Sequence, residues 1–428
     1  MLRMKTLRIT TILAFLSVAM MAQVQPQDST SVETLEEVLV QSVRVKADSP
    51  ITHSNLSAED IETRNLGQDI PILLNYLPSV VTTSDAGAGI GYTYIRVRGS
   101  DASRVNVTLN GIPFNDAESQ GTFWVNLPDF ASSVQSFQLQ RGVGTSTNGS
   151  GAFGASLNLL TDAVDEEAYG EIGNSVGSFN TRRHNVKFST GLLNDHFEIA
   201  GRLSNIQSDG YIDRASSDLK SYFLQAAYKD DNTLIKAITF GGREETYQAY
   251  YGIDAATLES NRTFNTVGQQ FDALGNFQGF YDNEVDNYAQ DHYQLLWNQR
   301  FSNNWSTNVS LNYTYGRGYF EQYVDDYYYT NILFSGDSQF DFLGVEPIDI
   351  NGETISSTDY LRRRWLDNDF YVVNFSTNYK NDKVNLLIMT NNLTNKRKGI
   401  QKNNVLYEYS CPDEDCKLLN AQYIGLTT

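Results

Sequence analysis

Apolar and polar residues alternate with period two through much of the second part of the chain. The cleanest case is "WSTNVSLNYTY": Trp305, Thr307, Val309, Leu311, Tyr313 and Tyr315 share one face, and Ser306, Asn308, Ser310, Asn312 and Thr314 share the other. "HFEIAGRLS" sets Phe197, Ile199, Gly201 and Leu203 against His196, Glu198, Ala200, Arg202 and Ser204, and "YQLLWNQRF" repeats the pattern with Tyr293, Leu295, Trp297 and Phe301. This period predicts strands with unlike faces. Four short polar turns separate such segments, at 193–196, 229–232, 302–305 and 380–383. Longer Tyr-rich connections run over roughly 208–218, 245–288 and 318–366. Short turns at one end, long loops at the other and an aromatic-fringed apolar face describe a transmembrane β-barrel. A soluble sandwich also alternates, but it requires neither the one-sided loops nor so many Tyr and Trp.

The pattern ahead of residue 165 is different. Residues 49–161 read as a mixed α/β domain. Ile61, Leu66, Ile70, Leu73, Leu74 and Leu77 fall at helical spacing, with Ser57 as N-cap and Glu59 and Asp60 in the first turn. "YTYIRVRGS", "RVNVTLNGIPF", "VQSFQLQRG" and "ASLNLLT" read as strands, the second containing the turn pair Asn110-Gly111. Residues 23–34 are polar and aperiodic, a flexible leader within 23–48 that also holds the β-prone stretch "LEEVLVQSVRV" (35–45).

The first 22 residues carry Arg3, Lys5 and Arg8, an apolar run from Ile12 to Met20, and Ala22 ahead of Gln23. That is the layout of a secretory signal peptide, and the run is too short to span a bilayer as a helix. No later stretch is long and apolar enough for a helical span. A net charge of -19 argues against nucleic acid. The 26 Tyr, 22 Phe and 31 Gly lean toward pleated, turn-rich structure. Cys411 and Cys416 form either a local disulfide or a pair of idle thiols, since a zinc site needs a second pair.

Motifs for catalysis are weak. "GAGIG" (87–91) lacks a strand-to-helix context, and "GTSTNGS" (144–150) has Ser150 where a phosphate loop requires Lys. His53, His184, His196 and His292 are scattered without metal-ligand spacing, and no nucleophile, base and orienter set is visible. The chain reads as a non-enzyme with no cofactor.

Two segments carry a specific resemblance: "YIRVRGSDASRVNVTLNGIPFND" (94–116) and "VQSFQLQRGVGTSTNGSGAFGASLNLLT" (134–161). In their order and motifs they resemble the plug domain of TonB-dependent outer-membrane receptors. Asn110 stands where the family has Asp, and Ala155-Ser156 replace its paired small residues. The resemblance implies a mixed α/β plug followed by an antiparallel transmembrane β-barrel, in the outer membrane of a Gram-negative bacterium. It also implies energised uptake of a scarce solute, such as a ferric siderophore or a cobalamin-type ligand. The leader is too short for the extra N-terminal domain of many glycan-importing relatives, which favours those two ligand types.

On the same resemblance, Glu37, Val38, Leu39, Val40, Gln41, Ser42 and Val43 form a TonB box, which adds as a strand to the sheet edge of the periplasmic transducer TonB. The same residues would also suit an ordinary first strand of the plug. Arg98-Gly99 and Arg141-Gly142 are expected to pair with barrel carboxylates and lock the plug. Tyr92, Asn115, Phe123 and Trp124, with the Tyr-rich loop 321–330, are expected at the ligand site. Loop packing or an aromatic girdle would account for these aromatics equally well. A non-transporting surface protein or passive channel on the same scaffold is the alternative reading.

One departure stands out. Roughly nine strands are readable over 165–388, whereas a plugged barrel of this class has about 22. From about Met389 through 428 alternation is lost and no terminal aromatic closes the chain. The expectation is an incomplete barrel whose 389–428 tail is out of register through frameshift, truncation or misreading, and hence a product unable to transport alone.

Overall fold

A five-stranded sheet with short helices forms the first part of the fold, and a long antiparallel sheet wraps one side of it. The structure, a computed structural model, describes residues 44–45, 50–143, 153–328, 346–350, 352–380, 385–397 and 406–410. All of these lie in one compact unit, Glu36–Thr428.

The first part runs β1 (His53–Ser57), α1 (Ala58–Glu62), α2 (Ile70–Leu73), β2 (Val80–Ser84), β3 (Thr93–Val97), β4 (Val105–Leu109), β5 (Ile112–Pro113), β6 (Val134–Arg141) and β7 (Ala155–Thr161). The sheet order is β1-β6-β7-β4-β5, with β4 and β7 parallel and β2-β3 a separate hairpin. Ser57 caps α1 as expected: its hydroxyl accepts from the Asp60 amide at 3.2 Å, and the Asp60 carboxylate accepts from the Ser57 amide at 2.9 Å. The longer helix implied by the spacing of Ile61 to Leu77 does not form. Gly67 adopts φ +109°, a conformation no L-residue helix tolerates, and Pro71 restarts the chain at the head of α2. Leu66 is left exposed, while Ile61, Ile70, Leu73, Leu74 and Leu77 pack into the core with Trp124, Phe137 and Leu157. Each such burial contributes on the order of 1.5–3 kcal/mol.

The wall comprises β8 (Ala168–Val176), β9 (Arg182–Thr190), β10 (Phe197–Ser208), β11 (Ser217–Lys229) and β12 (Thr233–Tyr247). After α3 (Ala255–Ser260) and the small hairpin β13 (Gln269–Phe271) and β14 (Phe277–Phe280) come β15 (Val285–Ser302) and β16 (Trp305–Val324). A short helix α4 (Asp326–Tyr328) and the hairpin β17 (Ile348–Ile350) and β18 (Glu353–Ile355) precede β19 (Tyr360–Lys380), β20 (Asn385–Arg397) and β21 (Leu406–Ser410). The order is β20-β19-β16-β15-β12-β11-β10-β9-β8, with β21 beside β19. Among the described residues the sheet is open, with β8 and β20 at opposite edges.

Three of the four polar turns appear as hairpins, at β9-β10, β11-β12 and β15-β16; most of the fourth lies outside the described residues. At the second, Asp230 accepts from the amides of Asn232 and Thr233 at 2.8 Å each. The long connections are shorter than the sequence implied. Strands continue to Tyr247 and Val324 and start again at Val285 and Tyr360, because Tyr and polar side chains at strand ends sustain the pleat above the apolar band. These strands reach 21 residues, well beyond the 9–11 that cross a bilayer.

The face pattern is inverted relative to a soluble protein. On β10, Phe197, Ile199 and Leu203 are exposed (53%, 45% and 66%), while Glu198, Arg202 and Ser204 are buried. The polar face packs on the first domain and the apolar face points away from it, which fits a lipid-facing wall. Tyr293, Tyr313 and Tyr371 stand in register on the outer face with centroids 5.9 and 4.9 Å apart. At the short-turn end, Phe301-Trp305 and Phe197-Tyr228 form a second aromatic level, with Leu295, Leu311 and Val373 between the two.

The strand pattern does not end at 388, and most of the 389–428 tail lies outside the described residues. Met389 pairs with Ser376, and the ladder continues to Arg397 opposite Asn368. The strand reading that stopped at 388 therefore extends nine residues further; the polar run "NNLTNK" obscured it. Cys411 and Cys416 lie outside the described residues.

Candidate functional site

One contact holds the inner domain to the wall, a second ties the N-terminal segment to the inner domain's sheet, and a cleft opens between that domain and the wall. The first contact centres on Asp129, in the left-handed conformation (φ +52°) after Pro128. Its carboxylate meets the Arg183 guanidinium at 3.0 Å and that of Arg202 at 3.3 Å. It also accepts from Ser132 at 2.6 Å and Ser204 at 2.7 Å. Arg202 donates further to Ser133 at 2.8 Å and Ser221 at 3.2 Å, and Ser221 donates to the Pro128 carbonyl at 2.7 Å. Burial alone would raise the Asp129 carboxyl; the two guanidiniums outweigh it and hold the group below its ordinary range. Lys187 adds a lesser bridge to Asp162 at 2.8 Å.

The second contact lies at the N-terminal edge. The Gln138 side chain accepts from the Val45 amide at 2.8 Å and donates to the Val45 carbonyl at 2.9 Å, as a neighbouring strand would. Arg44 donates to the Ser136 hydroxyl at 2.8 Å and to the Ser136 and Asn158 carbonyls at 3.0 Å each. The segment leaving residues 37–43 is thus tied to β6 and β7. Glu37 to Val43 themselves lie outside the described residues.

The cleft, about 310 Å³, lies on the long-loop side, between residues 109–126 of the inner domain and the polar face of β12, β15, β16 and β19. Asn110 and Gly111, both with positive φ, make the tight turn that seats the β4-β5 hairpin against the wall. Asn110 donates to Gln294 at 3.0 Å and accepts from the Thr161 amide at 3.0 Å. Above this floor, Tyr92 donates to Asp286 at 2.5 Å and lies against Glu244. His292 stacks on Phe240 at 4.4 Å and bonds Thr314 at 2.8 Å.

Of the expected site residues, Tyr92, Asn115 and Phe123 line this cleft. Asn115 also braces the loop, accepting from Val107 at 2.7 Å and donating to the Val105 and Gln120 carbonyls at 2.9 and 2.8 Å. Trp124 turns inward instead, 2% exposed in the core, where its apolar ring is better accommodated than in the cleft. The arginine lock takes another form as well. Arg141 donates to the Pro78 carbonyl at 2.9 Å and the Ser54 hydroxyl at 2.8 Å, both within its own domain. Burial and the neighbouring Arg98 lower its pKa. Gly142, at φ +90°, leaves room for the Arg98 guanidinium, which a Cβ there would meet at 3.4 Å; Arg98 and Gly99 make a positive-φ turn. Among the described residues the ion pairs joining the two parts run the other way, from carboxylates of the inner domain to cations of the wall. Asp129, Arg183 and Arg202 carried no motif that would have flagged them.

A polar-faced wall along one side of a separately folded inner domain, with an apolar, aromatic-fringed outside, is the architecture of part of a plugged β-barrel of the outer-membrane type. Residues 45–156 match the TonB-dependent Receptor Plug Domain family. The probable TonB-dependent siderophore receptor PirA of Acinetobacter baumannii is 24% identical over 182 residues, covering 39% of this chain and 24% of that protein. Ferric citrate transporter FecA superposes with a TM-score of 0.58 at 14% identity, covering 85% of this chain and 49% of that one. Copper transporter OprC gives a TM-score of 0.56 at 12% identity, covering 85% and 48%. Residues 45–156 thus match a TonB-dependent receptor plug domain, the residues after it share the fold of part of the barrel in these solved structures, and the chain spans about half their length.

Proposed function

We propose that this chain serves in energised uptake of a scarce solute across an outer membrane, after export directed by residues 1–22. The observation that carries this reading is the clip at Arg44 and Val45, which joins the strand-prone segment 37–43 directly to the plug sheet. A strand added to TonB at Glu37 to Val43 would transmit a pull through Gln138 and Asn158 into β6 and β7. The loop-side cleft is the place for cargo. The similarity to PirA, a probable siderophore receptor, and to FecA, a ferric citrate transporter, supports an iron complex as that cargo. Binding can favour an exposed box only through unequal affinity for the two plug conformations.

Cysteines placed singly at Val38, Leu39, Val40 and Gln41 should form disulfide cross-links to a cysteine on the TonB sheet edge with yield alternating along the strand, Val38 and Val40 behaving alike and unlike Leu39 and Gln41. Uniform or absent cross-linking would remove the box, and with it the energised reading, leaving a passive surface protein.

A further inference from the structure

The cleft has a consistent electrostatic character. Asp116, Glu118, Glu244 and Asp286 line it, and no Lys or Arg does. Glu244, buried, and Asp286, half-buried, stand on adjacent strands and share the Tyr92 hydroxyl. The cation that acts on Asp286 is Arg364, which stacks on Phe320 at 4.6 Å and is not part of the lining. Two carboxylates beside each other, one of them buried, are costly to charge together, and a positive charge between them offsets that cost. Phe123 and Leu366, 41% and 38% exposed, give the same cleft a partly uncovered apolar wall, and Phe370 and Tyr288 extend it with aromatic faces. Aromatic faces attract cations as well as apolar groups.

The approach has the same sign. The connections 209–216 and 248–284 contain seven carboxylates (Asp209, Asp213, Asp254, Glu259, Asp272, Asp282 and Glu284) and two cations, Arg214 and Arg262. Arg214 is occupied, donating to the Asn265 and Val267 carbonyls and lying 3.5 Å over the Phe280 ring. These acidic connections concentrate cations, while Arg362, Arg363 and Arg364 at the same end of β19 are set against Glu284 and Glu321.

We infer that the cleft selects a positively charged cargo, a metal complex or organic solute bearing a cationic group that seats between Glu244 and Asp286 with its apolar part on Phe123 and Phe370. This rests on the uptake reading and narrows it: an anionic tris-catecholate or citrate complex is excluded from this cleft. The test is isothermal titration of the full chain in detergent with three probes. These are the ferric complex of a linear trihydroxamate with a free terminal amine (ferrioxamine B), its N-acetylated, neutral counterpart, and ferric citrate. The amine-bearing complex should bind about tenfold or more tightly than the acetylated one, the discrimination of one charge-assisted bond. That ratio should fall toward one in Asp286→Asn and in the exposed-loop variant Glu118→Gln, and it should shrink with added salt. Equal affinity of the two hydroxamates, or tighter binding of ferric citrate, overturns the charge inference. A charge preference that persists when residues 37–43 are deleted supports it even if uptake proves not to depend on TonB.

Discussion

Replacing Asp129 with Asn removes one charge and little else. Asn tolerates the left-handed backbone that Asp129 adopts, so no new strain enters. What remains is two guanidiniums facing one another, their side chains 1% (Arg202) and 10% (Arg183) exposed. Breaking a buried pair by removing one partner costs about 3–5 kcal/mol, because the surviving charge stays desolvated. That corresponds to at least about two orders of magnitude in the equilibrium holding the plug to β9, β10 and β11. Amide hydrogen exchange of residues 127–141 in detergent-solubilised protein reads this equilibrium, since opening must precede exchange. Combining Asp129→Asn with Arg202→Met should restore part of the loss by replacing a stranded charge with an apolar chain of similar length. A change below about 1 kcal/mol, the range of exposed ion pairs, would refute the claim that Asp129 anchors the plug.

Three further outcomes are expected. Because Arg202 and Arg183 hold Asp129 below its ordinary 3.8 against the opposing effect of burial, its contribution is complete above that value and is lost as pH falls through the folded pKa; urea melts followed by the fluorescence of Trp124 should show this acid loss, and Asp129→Asn should abolish it. Asp69 behaves oppositely: burial raises it to about 8, against a hydrogen bond from Thr93, so its favourable share is present in acid and lost as pH rises from 3.8 through 8. Asp69→Asn should therefore stabilise the plug at pH 8 by several kcal/mol and leave pH 3 unchanged; an unchanged melt at pH 8 would mean that Asp69 is not buried as described. Gly242→Ala should weaken plug docking by about 1–3 kcal/mol, since its Cβ would sit 2.7 Å from Pro128 and 2.8 Å from the Asn126 carbonyl, and exchange at 124–130 should accelerate.

The wall was legible from sequence because its signal is local. Period-two alternation and polar turns sit within ten residues of each other, and the plug motifs are contiguous. The cleft was partly legible, since Tyr92, Asn115 and Phe123 flank those motifs. Trp124 was not, because adjacent aromatics in a 3-10 turn point to opposite sides, one to solvent and one to the core. The Asp129 grip was invisible for a different reason: its partners come from separate strands, and pairing at such range is a property of the docked domains. Strand ends were misjudged where polar and Tyr residues sustain the ladder past the apolar band, as at Val285 and Val324. The same confusion ended β20 nine residues too soon.

The central claim, that a clipped N-terminal segment couples cargo binding to energised movement, is tested most directly by comparing surface binding and uptake of radiolabelled ferrioxamine B. The cells should carry the intact chain or one lacking residues 37–43. The account predicts equal surface binding and uptake abolished by the deletion. Equal uptake in both, or uptake surviving dissipation of the proton gradient, would contradict it.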